Sequence, residues 1–265
     1  MTSNGTALIT GASAGLGAAY ADRLAKRGYD LVLVARGEDK LRELAATLPG
    51  NAEVITADLT VDADLARVEE RLRGEDVSLL VNNAGMGWVS PVVDADLTDL
   101  GRVIDLNVTA FTRLDQVAAK AFAARGAGTI INVGSVVGTV LQLPGMATYA
   151  ATKAYVVTFT QVLAAELAET GVRVQAVMPG AVATELWDKS GYPLSNLDGD
   201  TVMTVDDAVD AALAGLDAGE LITIPSLPDA AHWDAFEAAR LTLAPNMSRR
   251  EPAERYRLSV SGSRP

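Results

Sequence analysis

Tyr149 and Lys153 are the two side chains of this sequence whose types and spacing are best suited to moving a proton. They lie four residues apart, so within a helix they share one face, about one turn apart. A tyrosine with its ordinary pKa of about 10 is a poor base at neutral pH, whereas a nearby ammonium favours the phenolate. We therefore expect Lys153 to lower the pKa of Tyr149. The alternative is an ordinary helix surface, because such pairs are common by chance.

Ser135 and Asn107 are polar residues that can assist this pair. Ser135 follows an apolar run, Thr129–Val133, and lies fourteen residues before Tyr149. A serine at the end of a strand can hydrogen-bond a substrate oxygen and stabilise charge that develops on it. Asn107 can anchor a water that leads protons to Lys153. Taken singly, each of these residues is ambiguous.

A glycine-rich turn, Thr10–Gly17, follows the first apolar run and precedes a helical pattern. Glycines permit a positive φ and let the backbone approach a pyrophosphate, while the N-terminus of a helix supplies free N–H groups and a positive dipole end. In this context the turn predicts a dinucleotide site. The contacts predicted here are Gly11, Ser13, Ala14, Gly15, Leu16 and Gly17.

Arg36 follows the second predicted strand, which ends at Ala35. Dinucleotide folds usually carry an acidic residue here for the adenosine ribose, and those that use NADP place a cation near the 2′-phosphate. Ala35 offers no carboxylate, whereas Arg36 offers a guanidinium suited to phosphate. We therefore predict NADP(H) as the preferred cofactor, with NAD(H) possible. The alternative is a solvated arginine at a helix start.

Two further strand ends carry candidate cofactor contacts. Asp58 and Leu59 follow the third strand, where the carboxylate can accept a hydrogen bond from the adenine amino group or be a simple turn aspartate. Asn82–Gly85 follows the fourth strand and suits either a close approach of cofactor and backbone or an ordinary turn. The predicted contacts in that segment are Asn83, Ala84 and Gly85.

The elements that would position these residues alternate regularly between strands and helices. Strands are predicted at Thr6–Thr10, Leu31–Ala35, Glu53–Ala57, Ser78–Val81, Thr129–Val133, Val172–Met178 and Leu221–Ile224. Helices are predicted at Leu16–Arg27, Asp39–Leu48, Asp62–Arg73, Thr98–Arg125, Ala150–Glu169 and Val205–Asp217. This order predicts an α/β fold with a doubly wound parallel sheet of about seven strands, flanked by helices on both faces. Thr60 is the predicted N-cap of the third helix, with Asp62 and Asp64 in its first turn.

We predict a single domain over residues 1–265, because no repeat or linker divides the chain. Residues 185–204 are rich in Gly, Ser, Asp and Pro and predict a mobile substrate loop. Residues 229–265 predict a C-terminal helical extension, with a helix to about Ala244 and a frayed end at Ser261–Pro265. Arginines of this extension are Arg249, Arg250, Arg255 and Arg257.

Composition excludes several classes of function. The net charge of −12 and a pI of about 4.5 argue against nucleic-acid partners and, weakly, against anionic membranes. The absence of cysteine excludes disulfides, thiolate chemistry and cysteine metal sites. No signal sequence or membrane-spanning stretch is evident, so we expect a cytoplasmic protein. His232 is the only histidine; we expect a helix residue and predict no metal site.

Together these motifs resemble the short-chain dehydrogenase/reductase family over roughly the first 185 residues. The resemblance rests on Thr10–Gly17, Asn82–Gly85, Asn107, Ser135, Tyr149, Lys153 and Pro179-Gly180, in that order. It implies a Rossmann-type fold and a catalytic tetrad of Asn107, Ser135, Tyr149 and Lys153. It also implies that Lys153 holds the nicotinamide ribose and that four residues line the nicotinamide: Pro179, Gly180, Val182 and Thr184. The Ala35-Arg36 pair resembles the NADP-preferring branch.

The resemblance implies interconversion of a carbonyl and an alcohol. NADPH would deliver hydride to the carbonyl carbon, Tyr149 would protonate the oxygen, and Ser135 would hold it. Lys153 and a water held by Asn107 would then return a proton to Tyr149. Two alternatives remain: an NAD-linked dehydrogenase of a hydroxy compound such as a sugar, steroid or amino-alcohol, and a non-catalytic dinucleotide sensor.

Apolar residues near these motifs predict a hydrophobic ketone, aldehyde or secondary alcohol as substrate. The candidate contacts besides Ser135 and Tyr149 are Met86, Trp88, Leu141, Leu143, Met146, Trp187 and Tyr192. Alternatively, several of them pack against the core or a partner subunit. The chain lacks the glycine-rich C-terminal ending of many tetrameric family members, so homodimer and homotetramer both remain open. Pairing is expected through the helices at 99–125 and 149–169.

Overall fold

The computed structural model describes residues 4–256 and shows a seven-stranded parallel sheet. Its strands are β1 (Thr6–Thr10), β2 (Asp30–Ala35), β3 (Ala52–Thr56), β4 (Val77–Asn82), β5 (Gly128–Val133), β6 (Val172–Val177) and β9 (Ile222–Thr223). They lie in the order β3-β2-β1-β4-β5-β6-β9. The predicted doubly wound sheet is confirmed. Arg257 and the predicted frayed end, Ser261–Pro265, lie outside the described residues.

Helices cover both faces of this sheet, as predicted. They are α1 (Gly15–Lys26), α2 (Glu38–Thr47), α3 (Asp62–Leu72), α4 (Leu97–Ile104), α5 (Phe111–Arg125), α6 (Ala147–Glu166), α7 (Leu186–Lys189), α8 (Val205–Ala218) and α9 (Ala231–Leu241). Successive strand residues point to opposite faces: Ile9 packs with α1, α2 and α8, whereas Leu8 packs with α3, α5 and α6. Both faces are therefore apolar, which explains the nearly continuous hydrophobic runs of the strands.

The predicted helix Thr98–Arg125 contains a break that its hydrophobic pattern does not reveal. A π-helical turn, Asp105–Ala110, separates α4 from α5 and contains the buried Asn107. Such widened turns often occur at functional sites. Here the turn contains Asn107, whose side chain is hydrogen-bonded to the backbone of Met86.

Thr60 is not the N-cap of α3, and this prediction was wrong. The capping position is Val61, with no side-chain cap, because the hydroxyl of Thr60 instead donates to Oδ1 of Asp58 at 2.7 Å. Asp62 and Asp64 do lie in the first turn. Asp64 Oδ2 also accepts from the backbone N–H of Asp58 at 2.8 Å, so α3 and the Asp58 loop are tied together.

The predicted substrate loop is bounded by a short strand pair. β7 (Ala181–Val182) pairs with β8 (Val202–Met203), and α7 and two short 3₁₀ turns lie between them. Tertiary contacts divide the chain into a main unit that runs through Ser226 and a C-terminal unit that begins at Leu227. In the C-terminal unit, α9 ends at Leu241, three residues before the predicted end, and a 3₁₀ turn begins at Ala244.

Candidate active site

Most of the predicted site residues follow the carboxyl ends of the strands β1 to β6, which meet at one edge of the parallel sheet. Asn107 lies in the π-helical turn, and Tyr149 and Lys153 lie on α6. The chain order reverses between β1 and β4, and ligands of open α/β sheets bind in the crevice at such a point. The sheet therefore brings together motifs that lie far apart in the sequence.

The glycine turn is packed too tightly for side chains at two of its positions. Gly11 has a φ of +67°, and a Cβ there would lie 2.8 Å from Nδ2 of Asn83. A Cβ on Gly17 would overlap the carbonyl oxygen of Gly11. Ala14, the residue before α1, provides no side-chain cap. The first N–H groups of α1 therefore have no side-chain cap and follow a turn of nearly bare backbone, as a pyrophosphate site requires.

Asn83 holds this turn in place. Its Nδ2 donates to the carbonyl oxygen of Thr10 at 2.9 Å, and the Thr10 hydroxyl accepts from the backbone N–H groups of Asn83 and Ala84 at 3.0 and 2.9 Å. The predicted contact segment after β4 is therefore fastened to the turn after β1. On the other side, a Cβ on Gly15 would lie 3.1 Å from Cγ2 of Thr184, so Thr184 covers the start of α1.

Arg36 and Asp58 lie near one another after β2 and β3. Burial opposes ionisation of Asp58, but hydrogen bonds from Thr60 and the charges of Arg36 and Arg102 outweigh it and lower the pKa of this carboxyl. Arg36 is exposed and, within residues 4–256, forms no ion pair. Leu59 is buried in the core, so only its backbone is available to a ligand.

Sequence reasoning missed two cations on this side of the crevice. Arg102 on α4 acts on Asp58, and Nζ of Lys40 on α2 lies 3.3 Å from Oε1 of Glu185. The latter pair links α2 to the residue after Thr184, across 145 positions of the chain. Lys40 could have been proposed from the sequence, because it is a cation four residues after Arg36. Nothing in the sequence indicated that Glu185 is its partner.

Tyr149 and Lys153 lie on α6 as predicted, and both are buried, with exposed fractions of 9% and 7%. Nζ of Lys153 lies 5.8 Å from the centre of the Tyr149 ring and donates to the carbonyl oxygen of Val133 at 2.9 Å. The expected fall in the tyrosine pKa is not found. Burial raises the pKa of Tyr149 to about 12, with the Ser135 hydroxyl acting in the opposite direction, and burial lowers the pKa of Lys153 to about 8.

The side chain of Asn107 clamps the backbone of Met86. Its Oδ1 accepts from the Met86 N–H at 2.8 Å and its Nδ2 donates to the Met86 carbonyl oxygen at 2.9 Å. Nδ2 also donates to the Thr152 hydroxyl at 3.1 Å, and that hydroxyl donates to the carbonyl oxygen of Tyr149. The side chain of Asn107 is thus engaged in positioning, and its predicted water-holding role stays a prediction.

Gly85 and Ser135 complete the surroundings of the pair. A Cβ on Gly85 would lie 3.4 Å from Nζ of Lys153 and 3.5 Å from Oδ1 of Asn107, so glycine leaves this space open. The hydroxyl of Ser135 accepts from the Val137 N–H at 3.2 Å and makes a long hydrogen bond to the carbonyl oxygen of Pro179 at 3.4 Å. Ser135 therefore joins the loop after β5 to the loop after β6.

Three segments that are distant in sequence interlock around Tyr149. The Val89 N–H donates to the Ser190 carbonyl oxygen at 3.0 Å, and the Ser90 N–H donates to the Gly145 carbonyl oxygen at 2.8 Å. Buried Val137, Met146 and Tyr149 form an apolar cluster with Val89, Ala150 and Trp187 packed against it.

The other residues predicted to contact the substrate differ in their burial and in their contacts with Tyr149. The indole nitrogen of Trp187 donates to the Val182 carbonyl oxygen at 2.9 Å. Leu141 and Leu143 are both 45% exposed. Tyr192 lies beside the Trp187 ring. Met146 and Trp187 therefore belong to the apolar cluster that contains Tyr149, whereas Leu141 and Leu143 lie at the surface.

A buried carboxyl network joins α5 to β4 and β5, and the sequence did not reveal it. Asp115 on α5 is fully buried; its two oxygens accept from Asn82 at 2.9 Å and Asn132 at 2.6 Å. These asparagines end β4 and lie in β5, directly opposite each other. Burial raises the pKa of Asp115 to about 7, and the two amides only partly offset this.

Residues 5–193 match the family model described as "short chain dehydrogenase". The chain belongs to the short-chain dehydrogenase/reductase family. Among solved structures, a short-chain dehydrogenase from Sphingobium yanoikuyae in complex with NADPH is 47% identical, with a TM-score of 0.91 over 96% of this chain and 100% of that chain. The bulky-bulky ketone specific alcohol dehydrogenase from Comamonas testosteroni is 43% identical, with a TM-score of 0.86 over 96% of this chain and 99% of that one.

Curated relatives include the very-long-chain 3-oxoacyl-CoA reductase of Mus musculus, 35% identical over 188 residues. That alignment covers 68% of this chain but 60% of the mouse protein. The chain therefore spans less than two thirds of the length of this curated relative. The bare turn at Gly11 and Gly17 with the uncapped start of α1 fits a nicotinamide dinucleotide. Within residues 4–256, no group of three or more His, Cys, Asp or Glu side chains is arranged to hold a metal, and none of the helices is long and apolar enough to cross a membrane.

Proposed function

We propose that this protein is an NADP(H)-dependent reductase of apolar ketones and, in reverse, a dehydrogenase of the corresponding secondary alcohols. The observation that carries the proposal is the position of Tyr149. Its buried ring belongs to the apolar cluster of Val137, Met146 and Trp187, while Lys153 lies on the same helix. A proton donor in an apolar enclosure suits a hydrophobic carbonyl substrate.

The phosphate preference rests on Arg36. This exposed guanidinium follows β2, where an NAD-selective site would carry a carboxylate, and no protein carboxylate within residues 4–256 pairs with it. The solved relative from Sphingobium yanoikuyae holds NADPH, which supports the same choice. The residues that would hold the dinucleotide are Gly11, Ser13, Ala14, Gly15, Leu16, Gly17, Arg36, Asp58, Leu59, Asn83, Ala84, Gly85, Tyr149, Lys153, Pro179, Gly180, Val182 and Thr184.

Bound NADPH supplies the hydride for the carbonyl carbon. Tyr149 donates its phenolic proton to the carbonyl oxygen, and Ser135 hydrogen-bonds that oxygen as its charge develops. With a pKa of about 12, Tyr149 is fully protonated at neutral pH and so is ready to act as an acid. Lys153, with a pKa of about 8, is mostly protonated there and resupplies the proton. Asn107 keeps Met86, and thereby one wall of the enclosure, in place.

The size of the substrate is proposed from the relatives and the cluster together. The Comamonas testosteroni enzyme, as its name states, is specific for bulky-bulky ketones, and here the apolar wall includes Met146 and Trp187. We therefore expect ketones with two sizeable apolar substituents to be better substrates than acetone or sugars.

The direct test follows NADPH oxidation by its absorbance over a panel of aromatic, alicyclic, short-chain and sugar carbonyls. We expect turnover of the bulky apolar ketones and a lower KM for NADPH than for NADH. Turnover of sugars or amino-alcohols with NAD⁺ alone would favour the NAD-linked alternative. Tight NADPH binding with no turnover of any carbonyl or alcohol would favour the dinucleotide sensor.

A further inference from the structure

Three segments meet beside Tyr149: residues 86–96, 136–146 and 184–203, here called the wall segments. They are interlocked by the hydrogen bonds from Val89 to Ser190 and from Ser90 to Gly145. Their inner contacts are apolar, as the cluster of Val137, Met146, Tyr149 and Trp187 shows. Their charged side chains, in contrast, are exposed to solvent.

Charge on the wall segments is strongly one-sided. They contain six acidic residues and one basic residue, Lys189, and the segment 136–146 contains no charged residue at all. The ammonium of Lys189 is already engaged by Glu185 at 2.6 Å. The other acidic residues are exposed and form no ion pair within residues 4–256: Asp94, Asp96, Asp188, Asp198 and Asp200.

This distribution differs from that on the adenosine side of the crevice, where Arg36 and Arg102 lie around Asp58. The dinucleotide, which is negatively charged, therefore binds on a side that carries cations. A negatively charged substrate that entered past the wall segments would instead approach carboxylates. Like charges at an entrance lower the local concentration of an anionic ligand and its rate of association, and the effect weakens as salt screens it.

We propose that the site takes its ketone as a free, uncharged molecule and discriminates against the same acyl group when coenzyme A carries it. This proposal rests on the proposed function, because it concerns the substrate of that same site. A coenzyme A thioester brings several phosphate charges to the entrance, whereas a neutral ketone brings none. Selectivity here comes from repulsion of the wrong carrier as well as from apolar contacts with the right substrate. The chain would thereby differ from the 3-oxoacyl-CoA reductases that it resembles.

The test compares one 3-oxoacyl group on two carriers, coenzyme A and uncharged N-acetylcysteamine, beside a bulky neutral ketone. At about 20 mM salt we expect the KM of the coenzyme A thioester to exceed that of the N-acetylcysteamine thioester by about 10-fold or more. At about 0.5 M salt the ratio should fall several-fold, because the Debye length shrinks from about 20 Å to about 4 Å. A ratio of one or less, or a ratio that salt does not change, would overturn the proposal.

Two matched double variants assign the effect to the wall segments. Asp188→Asn with Asp200→Asn removes two wall carboxylates, and Glu43→Gln with Glu75→Gln removes two exposed carboxylates on α2 and before β4. We expect the first variant to lower the KM ratio of the two thioesters about threefold or more, and the second to leave it unchanged. Equal changes in both variants would contradict the local origin of the effect. If neither thioester nor the ketone is reduced by the wild-type protein, the proposed function fails instead.

Discussion

The amine of Lys153 lies beside the ring of Tyr149, 5.8 Å from its centre, yet its hydrogen bond goes to the carbonyl oxygen of Val133 at 2.9 Å. Both side chains are buried, and burial disfavours the charged form of each. The tyrosine pKa therefore rises to about 12 while the lysine pKa falls to about 8. At neutral pH the pair therefore consists of a neutral tyrosine and a lysine that is mostly protonated and titrates just above that pH. This combination suits carbonyl reduction.

The pH dependence of the two reaction directions should differ for this reason. Reduction needs protonated Tyr149 and charged Lys153, so kcat/KM for a ketone should be level near pH 6–7 and fall above about 8. Oxidation needs Tyr149 to lose its proton, so its rate should rise with pH. A Lys153→Arg variant keeps its charge at high pH and should lose the descending limb even if it is slower. A limb that stays at pH 8 in this variant would exclude Lys153 as its origin.

Tyr149→Phe should abolish most of the turnover while leaving cofactor binding nearly intact. The substitution removes only the hydroxyl, and a positioned acid contributes about 10²- to 10⁴-fold to the rate. We expect kcat to fall by at least about 100-fold and the NADPH dissociation constant, measured by fluorescence titration, to change less than about threefold. Substantial remaining turnover would remove Tyr149 from its role.

Arg36→Gln should weaken NADPH binding much more than NADH binding, because only NADPH carries the 2′-phosphate. Hydrogen bonds to charged groups contribute about 1.5–3 kcal/mol, so we expect a loss of about 10- to 100-fold for NADPH. Lys40→Gln is the matched variant, and its effect should be smaller because Glu185 already engages that ammonium. Arg36→Asp should increase the difference further. Equal losses for both cofactors would refute the phosphate role of Arg36.

Asp115 should make the folded state less stable as the pH rises from about 4 to about 7. Its pKa is raised from 3.8 to about 7 in the folded protein, so the folded state binds the proton more tightly than the unfolded chain, and this contribution is lost once the carboxyl ionises in both states. The full difference is at most about 4 kcal/mol. Urea unfolding should show a smaller fall between pH 5 and pH 7.5 for Asp115→Asn than for the wild type.

A control distinguishes this effect from a general loss of acidic charge. Glu43→Gln removes an exposed carboxylate with no ion pair within residues 4–256 and should keep the wild-type pH dependence. The range also ends below the pKa of Lys153, about 8, so most of the titration of that lysine lies outside it. If Asp115→Asn and Glu43→Gln behave alike, Asp115 is not the source of the pH dependence.

Local patterns were sufficient to predict the sheet, the helices on both faces and the motif residues along one edge. Strands buried on both faces are apolar at most positions, and a glycine turn between a strand and a helix is typical of a dinucleotide site. The π-helical turn at Asn107 and the true capping arrangement at Thr60 were not predictable in this way. The π-helical turn accompanies hydrogen bonds between Asn107 and Met86, 21 residues away. At Thr60 the hydroxyl donates to Asp58, two residues earlier, instead of capping the helix, and residue types alone do not decide between these two partners.

The sequence by itself determined the family and the Rossmann-type sheet, because these depend on residue types at regular spacings. It also predicted Tyr149 and Lys153 as the proton-moving pair, and that role stays a prediction. Only the tertiary structure decided the electrostatics. Whether Lys153 lowers the pKa of Tyr149 depends on the competition between its charge and burial, and burial is set by elements from β5 to α7 that pack around the pair. The same holds for Asp115, whose neighbours come from β4 and β5. The sequence specifies which ionisable groups are present, whereas tertiary packing determines how far each of them is removed from water.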